Sequence, residues 1–127
     1  MGIWIPALAT GFYAPVDAGN KGIFFFEALA VLCALRLLSA FLPNSSRVLI
    51  YCDNQNSVHL FSSFAPKPAY NPITRAVVDT LLANNWDLRV RWLSSEDNAV
   101  ADAVSRADFT RARQLIPSIV FEDFSPP

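Results

Sequence analysis

Glu27, Asp53 and Asp102 are the acidic residues of this chain whose settings packing does not explain. Glu27 lies in the run Phe24-Phe25-Phe26-Glu27-Ala28-Leu29-Ala30, with apolar neighbours on both sides. Arg36 and Ser39 mark the polar side of that segment, and neither shares Glu27's face at helical spacing. Asp53 follows the apolar run that ends at Cys52 and precedes a helical stretch. In open α/β sheets, this carboxyl end of a strand is where ligand chemistry gathers. A second reading stands beside it, because Asp is also a good helix N-cap. Asp102 sits between Ala101 and Ala103 inside the last helical segment, where Asp is a mediocre helix former with nothing to cap. Taken singly, it is better read as part of a solvated helix face. Taken as a set, the three carboxylates are expected to form one shared site. Carboxylates are gathered in this way to hold divalent cations. Mg²⁺ takes oxygen ligands and is commonly bound through carboxylates plus substrate phosphates. With two such ions, one activates the attacking water and the other stabilises the leaving oxygen of a phosphodiester.

The elements that would position these acids can be read from pattern. Gly2-Ile3-Trp4-Ile5-Pro6 and Thr10-Gly11-Phe12-Tyr13-Ala14-Pro15 are aromatic and β-branched, each stopped by a proline, and predict a hairpin. A polar loop follows over 16–22. The apolar stretch 24–41 predicts a long buried helix ended by Pro43 and Asn44-Ser45-Ser46. Arg47-Val48-Leu49-Ile50-Tyr51-Cys52 predicts a central strand covered on both faces. It gives way to a helix through Val58, Leu60 and Phe61, and then to a rigid loop over 65–68. Asn71 and Pro72 read as an N-cap and first helical residue. Ile73, Ala76, Val77, Thr80 and Leu81 give the following helix a one-sided stripe, and Asn84-Asn85 ends it. Leu88, Val90 and Trp92 alternate with Arg89 and Arg91, which predicts a strand with one apolar and one basic face. Ser94 and Asp97 stand at capping-box spacing ahead of a helix over 99–107. The pattern weakens after Asp108. The order is strand, strand, helix, strand, helix, helix, strand, helix, which is an α/β layout. The expected division is one domain over 1–108 and a C-terminal tail or linker over 109–127.

Composition sets the outer bounds. The chain has 127 residues, 53% hydrophobic and 17% charged, which suits a single well-buried core. A net charge of −1 gives no global basic footprint and counts against a passive nucleic-acid-binding module. It counts less against an enzyme that meets phosphates through metal ions, since the metals supply positive charge. Only 4 glycines occur, so a glycine-rich nucleotide-binding loop has nowhere to sit, and a small-molecule binding domain ranks last. Cys33 and Cys52 lie in apolar runs without partners at metal-ligand spacing, and read as buried free thiols. With no basic leader ahead of an apolar core, they point to an intracellular location, cytoplasm or nucleus. Within 23–42, Glu27 and Arg36 would each cost roughly 2.5–3.5 kcal/mol at a bilayer centre. A buried helix is expected instead of a membrane span.

Three blocks carry a resemblance. They are Phe26-Glu27-Ala28-Leu29-Ala30-Val31, Leu49-Ile50-Tyr51-Cys52-Asp53-Asn54 and Asn98-Ala99-Val100-Ala101-Asp102-Ala103-Val104-Ser105-Arg106. In these blocks and in element order, the chain resembles the ribonuclease H domain of retroelement reverse transcriptases, in particular the tyrosine-recombinase (DIRS-like) group and related fungal elements. The most specific parts are Asp-Asn at a strand end and the Asn-x-x-Ala-Asp-x-x-Ser-Arg block.

The resemblance implies a ribonuclease H-like α/β fold with a mixed central sheet flanked by helices. It implies hydrolysis of the RNA strand of RNA–DNA hybrids at a two-metal carboxylate site using Mg²⁺, with Mn²⁺ as a substitute. Glu27, Asp53 and Asp102 match three of the family's four metal-binding carboxylates. The fourth belongs to a first strand that would precede Gly2, so the N-terminal strand reads as truncated and the sheet as incomplete. A second copy pairing through that incomplete sheet is the protein partner this implies. The family's histidine ahead of the last helix is replaced by Trp92-Leu93-Ser94-Ser95, and His59 reads as a packing or surface residue. Asn54, Arg89, Arg91, Arg106 and Lys67 are the candidate nucleic-acid contacts. The alternative is a catalytically degenerate domain of the same fold that serves as a nucleic-acid-binding or protein-interaction scaffold.

Overall fold

A computed structural model describes residues 1–15, 23–63 and 70–126. The expected loops over 16–22 and 65–68, and with them Lys67, lie outside the described residues. The chain is mixed α/β. Strands β1 (Gly2–Ile5) and β2 (Thr10–Tyr13) form the expected antiparallel hairpin, joined by a 3-10 turn over Pro6–Leu8 and by Ala9 in the left-handed region. Helix α1 (Ile23–Leu38) leads to β3 (Arg47–Cys52), and α2 (Gln55–Ser63) and α3 (Asn71–Asn84) lead to β4 (Asp87–Trp92). Helix α4 (Ala99–Ser105) follows, then α5 (Phe109–Leu115) and β5 (Val120–Asp123).

The sheet is in two pieces. β1, β2 and β5 make a mixed three-stranded sheet in the order β1-β2-β5, while β3 and β4 pair in parallel by themselves. β1 is therefore an edge of one sheet and β3 an edge of the other. Helices α1, α2 and α3 bury the main core with Ile3, Phe12, Val48 and Val90. Helices α4 and α5 cover the opposite face of the three-stranded sheet, around Trp4, Tyr13, Val104 and Ile119. Among the described residues, no helix is long and apolar enough to cross a membrane.

Three expectations are corrected. Segment 109–127 is neither tail nor linker, since β5 adds to β2 in parallel and Phe121 packs beside Phe109 and under Arg113. Val120-Phe121-Glu122-Asp123 shows neither the alternation nor the aromatic, proline-stopped pattern of β1 and β2, so local pattern does not mark it as a strand. β3 is not covered on both faces. Leu49 and Tyr51 are 53% and 52% exposed, because β3 has a neighbour on one side only and α2 packs on just one face of the β3–β4 pair. Finally, Tyr70 stands at the N-cap of α3, with Asn71 already helical, because the Tyr70 carbonyl accepts from the Ile73 and Thr74 N–H groups. The helix end does follow the sequence: Asn85 adopts φ 53° and its N–H closes on the Leu81 and Leu82 carbonyls, a left-handed cap that Asn tolerates.

Two glycines set how closely α4 approaches the hairpin. A Cβ on Gly2 would lie 2.3 Å from the Ser105 backbone nitrogen, and one on Gly11 would lie 2.9 Å from a Val104 methyl. The Ser105 contact is backbone, so it cannot be relieved by rotating a side chain. Gly2→Ala is expected to lower unfolding free energy by about 1–3 kcal/mol, the usual cost of forcing extra volume into a packed contact. Urea denaturation of the two proteins checks this.

Candidate metal centre

Glu27 enters the site from the first turns of α1, whose following residues Ala28, Leu29, Val31, Leu32, Cys33, Ala34 and Leu35 are all buried. Asp53 enters from the carboxyl end of β3, one residue beyond the last residue paired with β4. Asn54 then resolves the two readings of Asp53. Its side-chain oxygen accepts from the Ser57 N–H at 3.0 Å and so caps α2, which leaves the Asp53 carboxylate free of that duty. The Ser95 hydroxyl donates to Asp53 Oδ2 at 2.8 Å, and the Trp92 indole N–H donates to the Asp53 carbonyl at 3.3 Å. The Ser94–Asp97 turn that presents Ser95 is held by the Asp97 N–H donating to Ser94 Oγ.

The two carboxylates meet at Cys52. Ligand atoms of Glu27, Cys52 and Asp53 all lie within 4.8 Å of one another, a group that could hold a metal ion. The Cys52 thiol donates to Glu27 Oε2 at 3.8 Å. Burial first, and then the Asp53 charge, push the Glu27 carboxyl above its ordinary range. The Cys52 thiol is pushed up to about 11, chiefly by burial and further by Glu27 and Asp53, so it stays protonated at neutral pH. A neutral thiol is a poor ligand for a hard cation, whereas two half-buried carboxylates are suitable oxygen donors. The donor set therefore fits a hard divalent ion held by Glu27 and Asp53, with Cys52 as a hydrogen-bond donor to Glu27.

Comparisons with models of protein families, with curated proteins and with solved structures found no match. The reading of the site thus rests on its own geometry.

Asp102 does not join the close group. Its carboxylate accepts from Arg106 Nε at 3.1 Å and from Arg111 at 3.2 Å, tying α4 to α5. It is near enough for its charge to reach Glu27, but its oxygens are engaged by two guanidinium groups. Arg106 is thereby committed to Asp102. Arg89 and Arg91 are exposed on β4, and Arg89 lies 3.8 Å from Asp87. With Arg47 and Tyr51 they line a shallow open depression on the uncovered face of β3–β4. His59 is exposed on α2, and Cys33 and Cys52 are free and buried as expected.

Pattern reading missed three contributors: Cys52, taken as a packed hydrophobe; Ser95, 42 positions from its acceptor; and Arg111, which lies past the weakening of the pattern. Arg106, expected to contact nucleic acid, instead pairs with Asp102, for which the i,i+4 spacing on one helix was the available signal.

Two measurements follow from this electrostatic arrangement. Because Glu27's folded pKa is raised, the folded state binds more protons than the unfolded state above the ordinary glutamate range, and stability falls as pH climbs through that window. Glu27→Gln is thus expected to raise the melting temperature at about pH 8 and to leave it unchanged at about pH 3, where both states carry the proton. Thermal melts of the two proteins at both pH values test it. Arg111→Ala is expected to cost about 1 kcal/mol, the scale of a partly exposed ion pair whose carboxylate keeps a second guanidinium, and to lose part of that effect in high salt. Denaturation at two salt concentrations reads this directly.

Proposed function

We propose that this chain is a ribonuclease H-like domain of a retroelement reverse transcriptase, and that Glu27 and Asp53 hold Mg²⁺ for hydrolysis of the RNA strand of an RNA–DNA hybrid. The observation that carries this reading is the meeting of two half-buried carboxylates at the carboxyl end of β3. Among the described residues, neither has an arginine, lysine or histidine within ion-pair distance. Two like charges drawn together and partly desolvated are costly unless a cation joins them. The element order and the strand-end Asp-Asn support the family assignment.

When bound, the metal supplies a nucleophilic water at neutral pH and neutralises charge on the phosphodiester. The chain's own groups do the rest. Glu27 and Asp53 furnish hard oxygen donors. Ser95 and the Cys52 thiol each fix one carboxylate oxygen by hydrogen bonding, as outer partners of metal ligands commonly do. Arg47, Arg89 and Arg91 offer phosphate contacts on the uncovered face beside Tyr51, whose ring is open to stacking. Asn54 adds its amide N–H₂, because its oxygen is used in the cap.

A second reading is favoured by one specific observation, the double ion pair that occupies Asp102. In that reading, the domain keeps the fold and the basic face but no longer cleaves.

Hybrid cleavage in Mg²⁺ and in Mn²⁺ separates the two. The hydrolase reading expects cleavage by the wild-type chain and a loss of at least about a hundredfold in Asp53→Asn. It also expects calorimetric Mn²⁺ binding that is lost in Asp53→Asn and kept in Asp102→Asn. Cleavage that survives Asp53→Asn would sink the metal assignment. Mn²⁺ or hybrid binding without cleavage in either ion supports the scaffold reading.

A further inference from the structure

The open face of the β3–β4 pair differs from an ordinary solvated surface. The parallel register sets Arg47 opposite Asp87, Leu49 opposite Arg89 and Tyr51 opposite Arg91. Alternation along the strands turns these side chains away from the buried Val48 and Val90. All six are exposed, and Leu49 and Tyr51 keep 53% and 52% of their surface in solvent. Solvation accounts for arginines on such a face. It does not account for a leucine and a tyrosine side by side in one row of it.

Charge is concentrated here against the trend of the molecule. The net charge is −1, yet three guanidinium groups and one carboxylate line this face. The carboxylate, Asp87, lies 3.8 Å from Arg89 and opposite Arg47, at the end remote from Tyr51. Among the described residues, Arg47 and Arg91 have no carboxylate within ion-pair distance. The face is thereby sorted into rows. Leu49 and Tyr51 run along β3, while Arg89 and Arg91 run along β4, about 4.8 Å to the side. A polymer with a flat apolar base and a phosphate in each unit complements both rows at once. An acidic polypeptide would meet the arginines and leave the Tyr51 ring without a use.

A duplex cannot use both rows. The faces of its bases are hidden in the stack, and its outer surface would set phosphates against Leu49 and Tyr51. Nor can the strand pair enter a groove as a ribbon. Helix α2, about 10–12 Å across, packs on its back, and the major groove is only about 12 Å wide. We infer that this face binds a single-stranded segment of nucleic acid, with bases on Leu49 and Tyr51 and phosphates on Arg89 and Arg91. Tyr51 stands two residues before Asp53, so an unpaired segment held here leads to the strand end where the carboxylates meet. The inference rests on the phosphate contacts of the proposed hydrolase and names the form of nucleic acid they meet, but it needs no metal at Glu27 and Asp53.

The probe is a fluorescein-labelled oligothymidylate of about twenty nucleotides, titrated with the full chain in EDTA and followed by anisotropy. The single strand is expected to bind at least about tenfold more tightly than the same strand annealed to its complement. Tyr51→Ala is expected to weaken single-strand binding about tenfold, the loss of one stacked base, and Tyr51→Phe to keep it. Arg91→Ala is expected to weaken binding and to flatten its log–log salt dependence by about 0.7, the share of one phosphate. Arg75→Ala removes the same charge from an exposed position on α3 and is expected to change neither quantity. Equal affinity for the duplex overturns the inference, and so does binding that Tyr51→Ala and Arg91→Ala leave intact in folded protein, as thermal melts would show. Equal affinity for oligoglutamate would assign the face to an acidic polypeptide and overturn it as well. Single-strand binding without hybrid cleavage in Mg²⁺ or Mn²⁺ would count against the hydrolase alone, and cleavage without single-strand binding against this inference alone.

Discussion

The burial of α1 is the constraint on which the rest of this structure depends. The two sheets share no hydrogen-bonded strand pair, so nothing in the backbone ladders fixes one relative to the other. Side-chain packing does it instead. α1 lies against β1 on one side and against α2 and α3 on the other, and α2 in turn carries β3 and β4. A helix apolar around most of its circumference can serve as such a spine, because it gains from burial in every direction.

That same burial gives Glu27 its chemistry. On an exposed helix it would be an ordinary carboxylate. On α1 it is partly desolvated and aimed at the end of β3, where Asp53 adds a second negative charge and Cys52 a hydrogen bond. The physical pressure on the pair is toward a proton or a cation. Asp102 illustrates the opposite solution to the same problem. It too is half-buried, but two arginines from the last two helices neutralise it, so its charge serves to hold α4 and α5 together.

The uncovered face of β3–β4 and a cavity of about 320 Å³ beside β3, lined by residues 49–53 and by β1 and α1, have a common origin. β3 reads as a central strand because it is almost continuously apolar, yet in the fold it is an edge with one face open. An apolar strand at an edge is a site for association unless it is blocked by charge or covered. Here Arg47, Arg89 and Arg91 charge the open face, while the free edge borders that cavity.

Element types and order were legible in the sequence because they depend on local period and punctuation. The proline-stopped hairpin strands, the apolar α1, the stripe of α3, the alternation of β4 and the Asn85 cap all follow from residues close together in the chain. The singling out of Glu27 was legible too, since no helical face of that segment offered it solvent. What depended on distant residues was not. Asn54 took the cap and released Asp53, Ser95 found Asp53 across 42 positions, and Arg111 joined Arg106 on Asp102. The division of the sheet and the pairing of β5 with β2 were likewise decided by tertiary structure. Val120-Phe121-Glu122-Asp123 has neither alternation nor the aromatic, proline-stopped pattern of the hairpin strands, and an unpaired edge is a property of neighbours, which no local pattern encodes.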